Sequence, residues 1–381
     1  MQSNKLKDSP VGGLVPIADG HRAFVPNSLP RSTELSPPLI SQLDKASLAV
    51  GTLAGVGETL ANPHLLIRPF LRREAVLSSR IEGTQASISD VFVFEAAERA
   101  RTADTQEVVN YVRALDRGLE LLNELPICLR LANELHSMLL EGVRGEDKSP
   151  GRVRAIQNWI GSGGTLIGDA RYIPPPPEMV LDLMTDWEGF SNEELEMPVL
   201  VQCALMHYQF EAIHPYVDGN GRIGRLLITL FLSEKRILPT PLLYLSAFFE
   251  NNKDEYIDHL YRVSVSGQWE PWLRFFLRGV EEQARDALTR SRRVRELHEK
   301  YRNALQIRKE SANAFRLLDL LMENPFTTAP RAAAQLSVTH AGAQGILNRL
   351  VQAAILTPVS GMWPRMYTAR EILTAIETPV A

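Results

Sequence analysis

Apolar residues recur at helical spacing along most of the chain, and this period predicts a mainly α-helical fold. Leu43, Ala46, Leu48 and Leu53 open the pattern, and Asn62-Pro63 breaks it. A second helix is predicted from about Ile67 through Ile81, stopped at Gly83, a residue suited to helix C-termini. Further helices fit 105–123, 129–142, 178–189, 193–212, 221–235, 252–265 and 270–302. Between them, Gln157 to Pro177 has a different texture. Asn158-Trp159-Ile160 and Arg171-Tyr172-Ile173 read as two short strands, and the Gly-rich piece between them reads as the turn of a hairpin. Pro174 to Pro177 then force an extended exit.

Both ends differ from the centre. Residues 1–40, rich in Pro, Gly and Ser, read as an arm lying on the fold rather than a packed element. At the other end, Ala314 to Met322 is amphipathic, Ala329 to Leu336 and Ala341 to Ala353 are helical, and Ser337 to His340 is a polar turn. Leu356 to Val359, Gly361 and Arg365 to Tyr367 then read as a small β-wing. That order is the order of a winged helix-turn-helix. The expected organisation is an arm (1–40), N-terminal helices (41–110), a central domain (111–280), a connecting helix (281–305) and a winged-helix module (306–381).

Bulk properties narrow the classes. With 381 residues, 45% apolar, 23% charged and net charge -4, the chain can bury a large core and is no polycation built to coat nucleic acid. Cys128 and Cys203 lie in apolar helical stretches with no CxxC or Cys/His spacing, so free thiols are expected. The start, MQSNKLKDSPVGG, lacks the apolar stretch of a secretory leader. The run Leu226 to Leu232 is far short of the ~20 residues that span a bilayer. A cytoplasmic protein without membrane contact is the expectation.

The candidate chemistry lies in Phe210 to Leu227, FEAIHPYVDGNGRIGRLL. A helix ends at His214-Pro215, a Gly-rich loop follows, and a new helix opens near Gly221. Backbone N–H groups of such a loop, at the positive end of a helix, make an anion site. Arg222 and Arg225, three apart, share a face and suit phosphate oxygens. Asp218 beside phosphates is a natural Mg²⁺ (or Mn²⁺) ligand, and His214 can take a proton from an attacking hydroxyl. Base, metal ligand, anion cradle and charge clamp in twelve residues point to phosphoryl or nucleotidyl transfer.

His214 to Arg225, HPYVDGNGRIGR, resembles the Fic signature His-x-Phe-x-(Asp/Glu)-Gly-Asn-Gly-Arg-x-x-Arg, departing only in Tyr216 for Phe. The resemblance implies a Fic helical core with a small β-hairpin flap at 158–173, which pairs with a segment of the target protein. It implies transfer of AMP from ATP to a Ser, Thr or Tyr hydroxyl of a protein, or of the chain itself, with release of diphosphate. His214 would be the base and Asp218 the metal ligand. Gly219, Asn220 and Gly221 would form the anion hole, with the Asn220 side chain on the phosphate. Arg222, Ile223, Gly224 and Arg225 complete the ATP set, the two arginines holding the β- and γ-phosphates. Tyr172 and Arg171 are expected to border the nucleotide, Tyr256 and Tyr244 to lie near adenine, and His207 to be a satisfied structural histidine.

Ser78-Ser79-Arg80-Ile81-Glu82-Gly83 resembles the family's inhibitory motif, (Ser/Thr)-x-x-x-Glu-(Gly/Asn). By that likeness Glu82 would pair with Arg225, occupy the guanidinium meant for the γ-phosphate, and join the ATP site as its brake. Transfer of another group, removal of AMP, and a DNA-binding regulator that senses nucleotide stand as alternatives. Against DNA, residues 306–381 hold seven Lys/Arg to five Asp/Glu, and 341–353 carry only Arg349. A protein-interaction or dimerising role, including a homodimer, is the preferred use of that module.

Overall fold

The computed structural model describes residues 5–58, 64–97, 102–161, 165–238, 240–362 and 364–378. The expected break at Asn62-Pro63 and the middle of the Gly-rich turn, Ser162 to Gly164, lie outside these residues. The fold is mainly helical, as the periodicity predicts. Two antiparallel strands, β1 (Gly12–Pro16) and β2 (Arg22–Pro26), precede α1 (Pro37–Glu58), α2 (His64–Ile81), α3 (Ile88–Ala97), α4 (Ala103–Leu121) and α5 (Leu129–Leu139). Then come α6 (Pro177–Asn192), α7 (Val199–Ile213), α8 (Asn220–Glu234), α9 (Ser246–Asn251), α10 (Lys253–Ser266) and α11 (Trp269–Ile307).

Helix α7, VLVQCALMHYQFEAI, is apolar on nearly every side, so it can only be buried. It is the central strut. Trp187 on α6 donates its indole N–H to Met206 O (3.0 Å), and Trp272 on α11 donates to Ala204 O (3.0 Å). Two large side chains thus satisfy their single donors while packing α6 and α11 against α7. Helix α8 packs antiparallel beside α7, so the loop joining them is held at the bundle's rim.

Several expectations are corrected. Residues 1–40 contain a packed hairpin: β1 and β2 pair with Leu14 opposite Phe24, Phe24 is fully buried, and Leu6 and Leu29 join the core. Asp19-Gly20, both at positive φ, supply the turn that allows it. Helix α3 went unread because its run, ISDVFVFEAA, buries Ile88, Val91, Phe92, Phe94 and Ala96 and shows no polar face to set a period. Helix α7 starts at Val199 rather than 193, behind the extended Pro198. The 158–173 hairpin reduces, among the described residues, to one bridged pair, Ile160 and Tyr172.

The C-terminal region runs α12 (Ala312–Glu323), β3 (Phe326–Thr328), α13 (Ala329–Leu336), α14 (His340–Gln352), β4 (Thr357–Val359), β5 (Met366–Thr368) and α15 (Arg370–Glu377). Its strands form one antiparallel sheet in the order β3-β5-β4. The region sits on the N-terminal helices: α12 and α15 pack on α2, Arg68 pairs with Glu323 (2.9 Å), and Asn324 donates to Phe92 O (3.1 Å). Arg349 on α14 is held by Glu310 (2.9 Å). Among the described residues no helix is long and apolar enough to cross a membrane.

Candidate active site

His214 ends α7 in the left-handed conformation, φ 53° and ψ 61°, and Gly219 precedes α8 at φ 80°. A non-glycine residue there is strained, and the surroundings must hold it. They do. Arg154 donates from Nε to His214 O (2.9 Å), and its own N–H donates to Pro215 O (2.9 Å). Asn220 closes the loop from inside: Oδ1 accepts the Tyr216 N–H and Nδ2 donates to Tyr216 O, both at 2.8 Å. The Asn220 amide is therefore a staple for the loop, and Nδ2 keeps a second hydrogen beyond the one given to Tyr216 O.

Helix α5 is the platform beneath. The His136 ring stacks on Tyr216 (3.9 Å between centroids, 7°). Gly151 N–H donates to Nδ1 (2.9 Å), which leaves the proton on Nε2 to donate to Asp218 O (2.9 Å). Burial pushes His136 down to about 4, so the ring stays neutral in this role. The Tyr216 hydroxyl, absent where the signature has Phe, donates to Asn133 Oδ1 (2.9 Å) and anchors the loop to α5 a second time.

The His214 ring faces Glu211 O through Nδ1 (3.3 Å). With the proton on Nδ1, Nε2 carries the free lone pair. Burial, and then Arg154, push His214 down to about 4; the carbonyl of Glu211, Glu82 and Asp218 oppose this without reversing it. A neutral imidazole with an available nitrogen is what a general base requires.

The opening turn of α8 supplies an anion cradle. Its first helical bond runs from Ile223 N–H to Gly219 O (3.0 Å), so the preceding amides, Asn220 to Arg222, come before the ladder. The carboxylate of Glu82 sits there: a methyl group at Gly221 would collide with Glu82 Oε1. Arg225, 3% exposed, donates from Nη2 to Glu82 Oε1 (2.7 Å), from Nε to Ser78 Oγ (3.0 Å) and from Nη2 to Ser78 O (2.9 Å). Burial alone would raise the Glu82 pKa; Arg225, with Arg222 and Lys253, more than offsets it and holds it below the usual value. Gly83 follows at φ 97°, and Lys253 Nζ and Arg144 donate to Ile81 O and Glu82 O at the end of α2.

Arg222, with no exposed surface, is paired with Glu107 Oε2 (3.5 Å) and Asp218 Oδ1 (3.6 Å). Its Nε and Nη2 lack a hydrogen-bond partner among the described residues. Glu107 was invisible to sequence reasoning, lying 115 positions away. Glu211, one turn before His214 on α7, also borders the cradle: a methyl at Gly224 would meet its Oε1, and burial pushes it up to about 7.

The Asp218 carboxylate is 37% exposed and accepts the Gly219 N–H through Oδ1 (2.6 Å). Among the described residues no group of three or more His, Cys, Asp or Glu forms a metal cage. Mg²⁺ needs only one or two carboxylates plus phosphate oxygens, so Asp218 fits that ion with a triphosphate beside it.

Four residues expected near the nucleotide make their polar contacts inside the protein or are buried in its core. Tyr172 is buried, its ring tilted against Phe24, and its hydroxyl donates to Ala212 O (2.9 Å). Arg171 pairs with Asp258 and lies over the Tyr261 ring. Tyr256 is buried among Phe249, Trp272 and His207, with its hydroxyl 2.7 Å from His207 Nε2, and it lies close enough to Arg225, Glu211 and Glu82 to feel their charges. Tyr244 is buried on the Glu74 side of the core. His207 is the satisfied core histidine expected: Nδ1 meets Gly224 O (3.2 Å), and burial pushes it down to about 3. Ile223 is likewise a core side chain.

Comparison with known proteins agrees with this geometry. Residues 40–120 match the Fic/DOC family N-terminal region, and residues 126–232 match the Fic/DOC family. The protein adenylyltransferase fic-1 of Caenorhabditis briggsae is 26% identical over 183 residues, covering 45% of this chain and 32% of that protein. A probable protein adenylyltransferase of Aquifex aeolicus is 35% identical over 95 residues, 25% of this chain and 27% of that one. The chain therefore spans about a third or less of the curated relatives it matches here. Among solved structures, a Fic family protein from Desulfovibrio desulfuricans superposes with a TM-score of 0.57 at 19% identity, covering 90% of this chain and 98% of that one. Fic-1 from C. elegans gives 0.51 at 21%, covering 66% and 73%. The chain is a Fic-domain protein, with a Fic/DOC N-terminal region followed by a Fic domain.

Proposed function

We propose that this protein transfers AMP from ATP to a hydroxyl of a protein target, and that Glu82 holds the reaction back. The observation that carries this is the Glu82 carboxylate lying in the anion cradle of α8 and paired with Arg225 at 2.7 Å. A carboxylate there stands where an oxygen of the triphosphate would be bound, so the residues around it are a phosphate site already filled by the chain's own anion.

With Glu82 displaced, the amides of Gly221 and Arg222 and the two guanidiniums hold the triphosphate. The target hydroxyl gives its proton to His214 Nε2 as its oxygen attacks the α-phosphorus. The α–β phosphoanhydride bond breaks, and diphosphate leaves. Held at Asp218, Mg²⁺ would neutralise charge on the phosphate oxygens. The charge that grows on the leaving diphosphate is met by Arg222 and Arg225, whose positions are fixed before substrate arrives.

The decisive experiment compares wild type, Glu82→Gly and Glu82→Gly/His214→Ala with Mg²⁺ and α-labelled ATP, following label and mass on protein. AMP-mass label confined to Glu82→Gly supports both roles. Label at equal rates in wild type and Glu82→Gly removes the brake. No label in any form while ATP still binds removes AMP as the transferred group. The C-terminal region is read as an interaction module rather than a DNA reader, because Arg349, the one cation of 341–353, is engaged by Glu310.

A further inference from the structure

Arg154 belongs to no part of the twelve-residue motif, yet its guanidinium is 2% exposed and directed at the active-site loop. No carboxylate pairs with it among the described residues. Its N–H groups are taken by carbonyl oxygens instead. Nε donates to His214 O (2.9 Å), Nη2 to Ile213 O (3.4 Å) and Pro175 O (2.5 Å), and Nη1 to Ile156 O (3.3 Å). Two of these carbonyls belong to the end of α7 that carries the base. The other two flank the 157–173 segment on its entry and exit sides. Gln157 and Asn158 reinforce the join, donating to Pro174 O (2.9 Å) and Tyr216 O (2.9 Å).

We propose that Arg154 is a positioning residue for the transfer reaction, holding His214 and both ends of the 157–173 segment on one planar guanidinium so that base and target hydroxyl keep a fixed separation. The kinetic part rests on the AMP-transfer reading; the geometric part does not. Three features support it. The left-handed His214 needs an external hold, and its carbonyl is gripped by the shortest of the bonds to α7. A buried guanidinium hydrogen-bonded to carbonyl oxygens, with Glu178 acting on its charge without a direct pair, offers a fork of fixed shape, which lysine lacks. Arg154 is also a positive charge beside the base, and it works with burial to keep His214 neutral. The other charges facing His214, Glu82 from the end of α2 and Asp218 from the loop, act in the opposite direction.

The test uses the full chain with Arg154→Gln and Arg154→Lys. The His214 ring is titrated by NMR, its signal assigned among the eight histidines by difference from His214→Gln. Arg154→Gln, which removes the charge, should raise the His214 pKa by about one unit. Arg154→Lys should leave it near the wild-type value. In the Glu82→Gly background, Arg154→Lys should lower kcat for AMP incorporation on the order of a hundredfold, with ATP affinity unchanged by calorimetry. An unmoved His214 titration in Arg154→Gln, or an Arg154→Lys enzyme with the parent's kcat, would overturn the proposal. If Arg154→Gln does not fold, Arg154→Lys decides through kcat alone. If the Glu82→Gly parent incorporates no AMP, the proposed reaction falls, and the titration still decides the role of Arg154.

Discussion

Replacing Glu82 by glycine is the perturbation with the most legible magnitude. The pair it removes is a charge-assisted hydrogen bond of 2.7 Å between a guanidinium 3% exposed and a carboxylate 35% exposed. Bonds of this class contribute about 1.5–3 kcal/mol. The partial exposure of Glu82 places it toward the lower end, because water screens the carboxylate. Arg225 is not orphaned by the loss, since Ser78 Oγ and Ser78 O still accept from it. The fold should therefore survive with a small drop in melting temperature. A triphosphate that competes with Glu82 for Arg225 must overcome this same interaction, and ~1.4 kcal/mol corresponds to a factor of ten. The expected gain in AMP incorporation is about ten- to hundredfold, arising from that range of pair strengths. The assay is initial rate of label transfer across ATP concentrations, with Glu82→Gln as the isosteric control. Both variants should gain. A rise in Glu82→Gly with none in Glu82→Gln would mean that backbone freedom next to Gly83, rather than loss of the carboxylate, releases activity, and the electrostatic argument would fail.

Other consequences follow from the same contacts. Because the pKa of His214 is pushed down to about 4, the acid limb of kcat in Glu82→Gly should lie well below the ordinary histidine value, with activity flat from about pH 6 upward; a limb near 6.5 would refute the burial argument. A histidine with a depressed folded-state pKa stabilises the fold fully above its unfolded value and loses that contribution as pH falls, so urea midpoints of wild type should fall between pH 6.5 and about 4 more than those of His214→Gln. Glu107→Gln removes the buried carboxylate paired with Arg222 and should destabilise by about 3 kcal/mol, read from urea unfolding; a loss under 1 kcal/mol, about the value of an exposed pair, would show that Asp218 alone satisfies Arg222. Tyr216→Phe restores the residue usual in the signature but loses the bond to Asn133, so stability should drop by about 1 kcal/mol while transfer in the Glu82→Gly background changes less than about twofold.

What the sequence made legible is local. His214 to Arg225 could be read because one loop and one helix start supply base, carboxylate and cradle from contiguous residues. Ser78 and Glu82 could be read because four-residue spacing puts them on one face of a helix. What stayed hidden acts across the fold: Glu107 under Arg222, His136 under Asp218 and Arg154 under His214 come from separate elements. No periodicity links them to the motif. Tyr172, Tyr256 and the Asn220 amide carry polar groups suited to a nucleotide, and each already makes a bond inside the protein, to Ala212 O, His207 and Tyr216 respectively. Residue type announces capacity for a bond, and only packing decides which partner takes it.

The arrangement also bears on how the proposed brake would open. Ser78 lies one turn before Glu82, and its two bonds to Arg225 do not depend on the carboxylate. The end of α2 is fastened separately, by Lys253 on Ile81 O and Arg144 on Glu82 O, and α12 and α15 pack along the same helix. Unwinding α2 would break all of these contacts together and expose buried Ser78 and Ser79. Turning the Glu82 side chain toward solvent breaks one ion pair and leaves Arg225 aimed at the cradle. The second route costs less by every bond it preserves, so release by competition from a triphosphate requires no rearrangement of the backbone. A ligand acting through the C-terminal region would have to work by the first route. Hydrogen exchange at the amides of residues 78–82 separates the two: protection kept on adding ATP marks side-chain exchange, and protection lost marks movement of the helix.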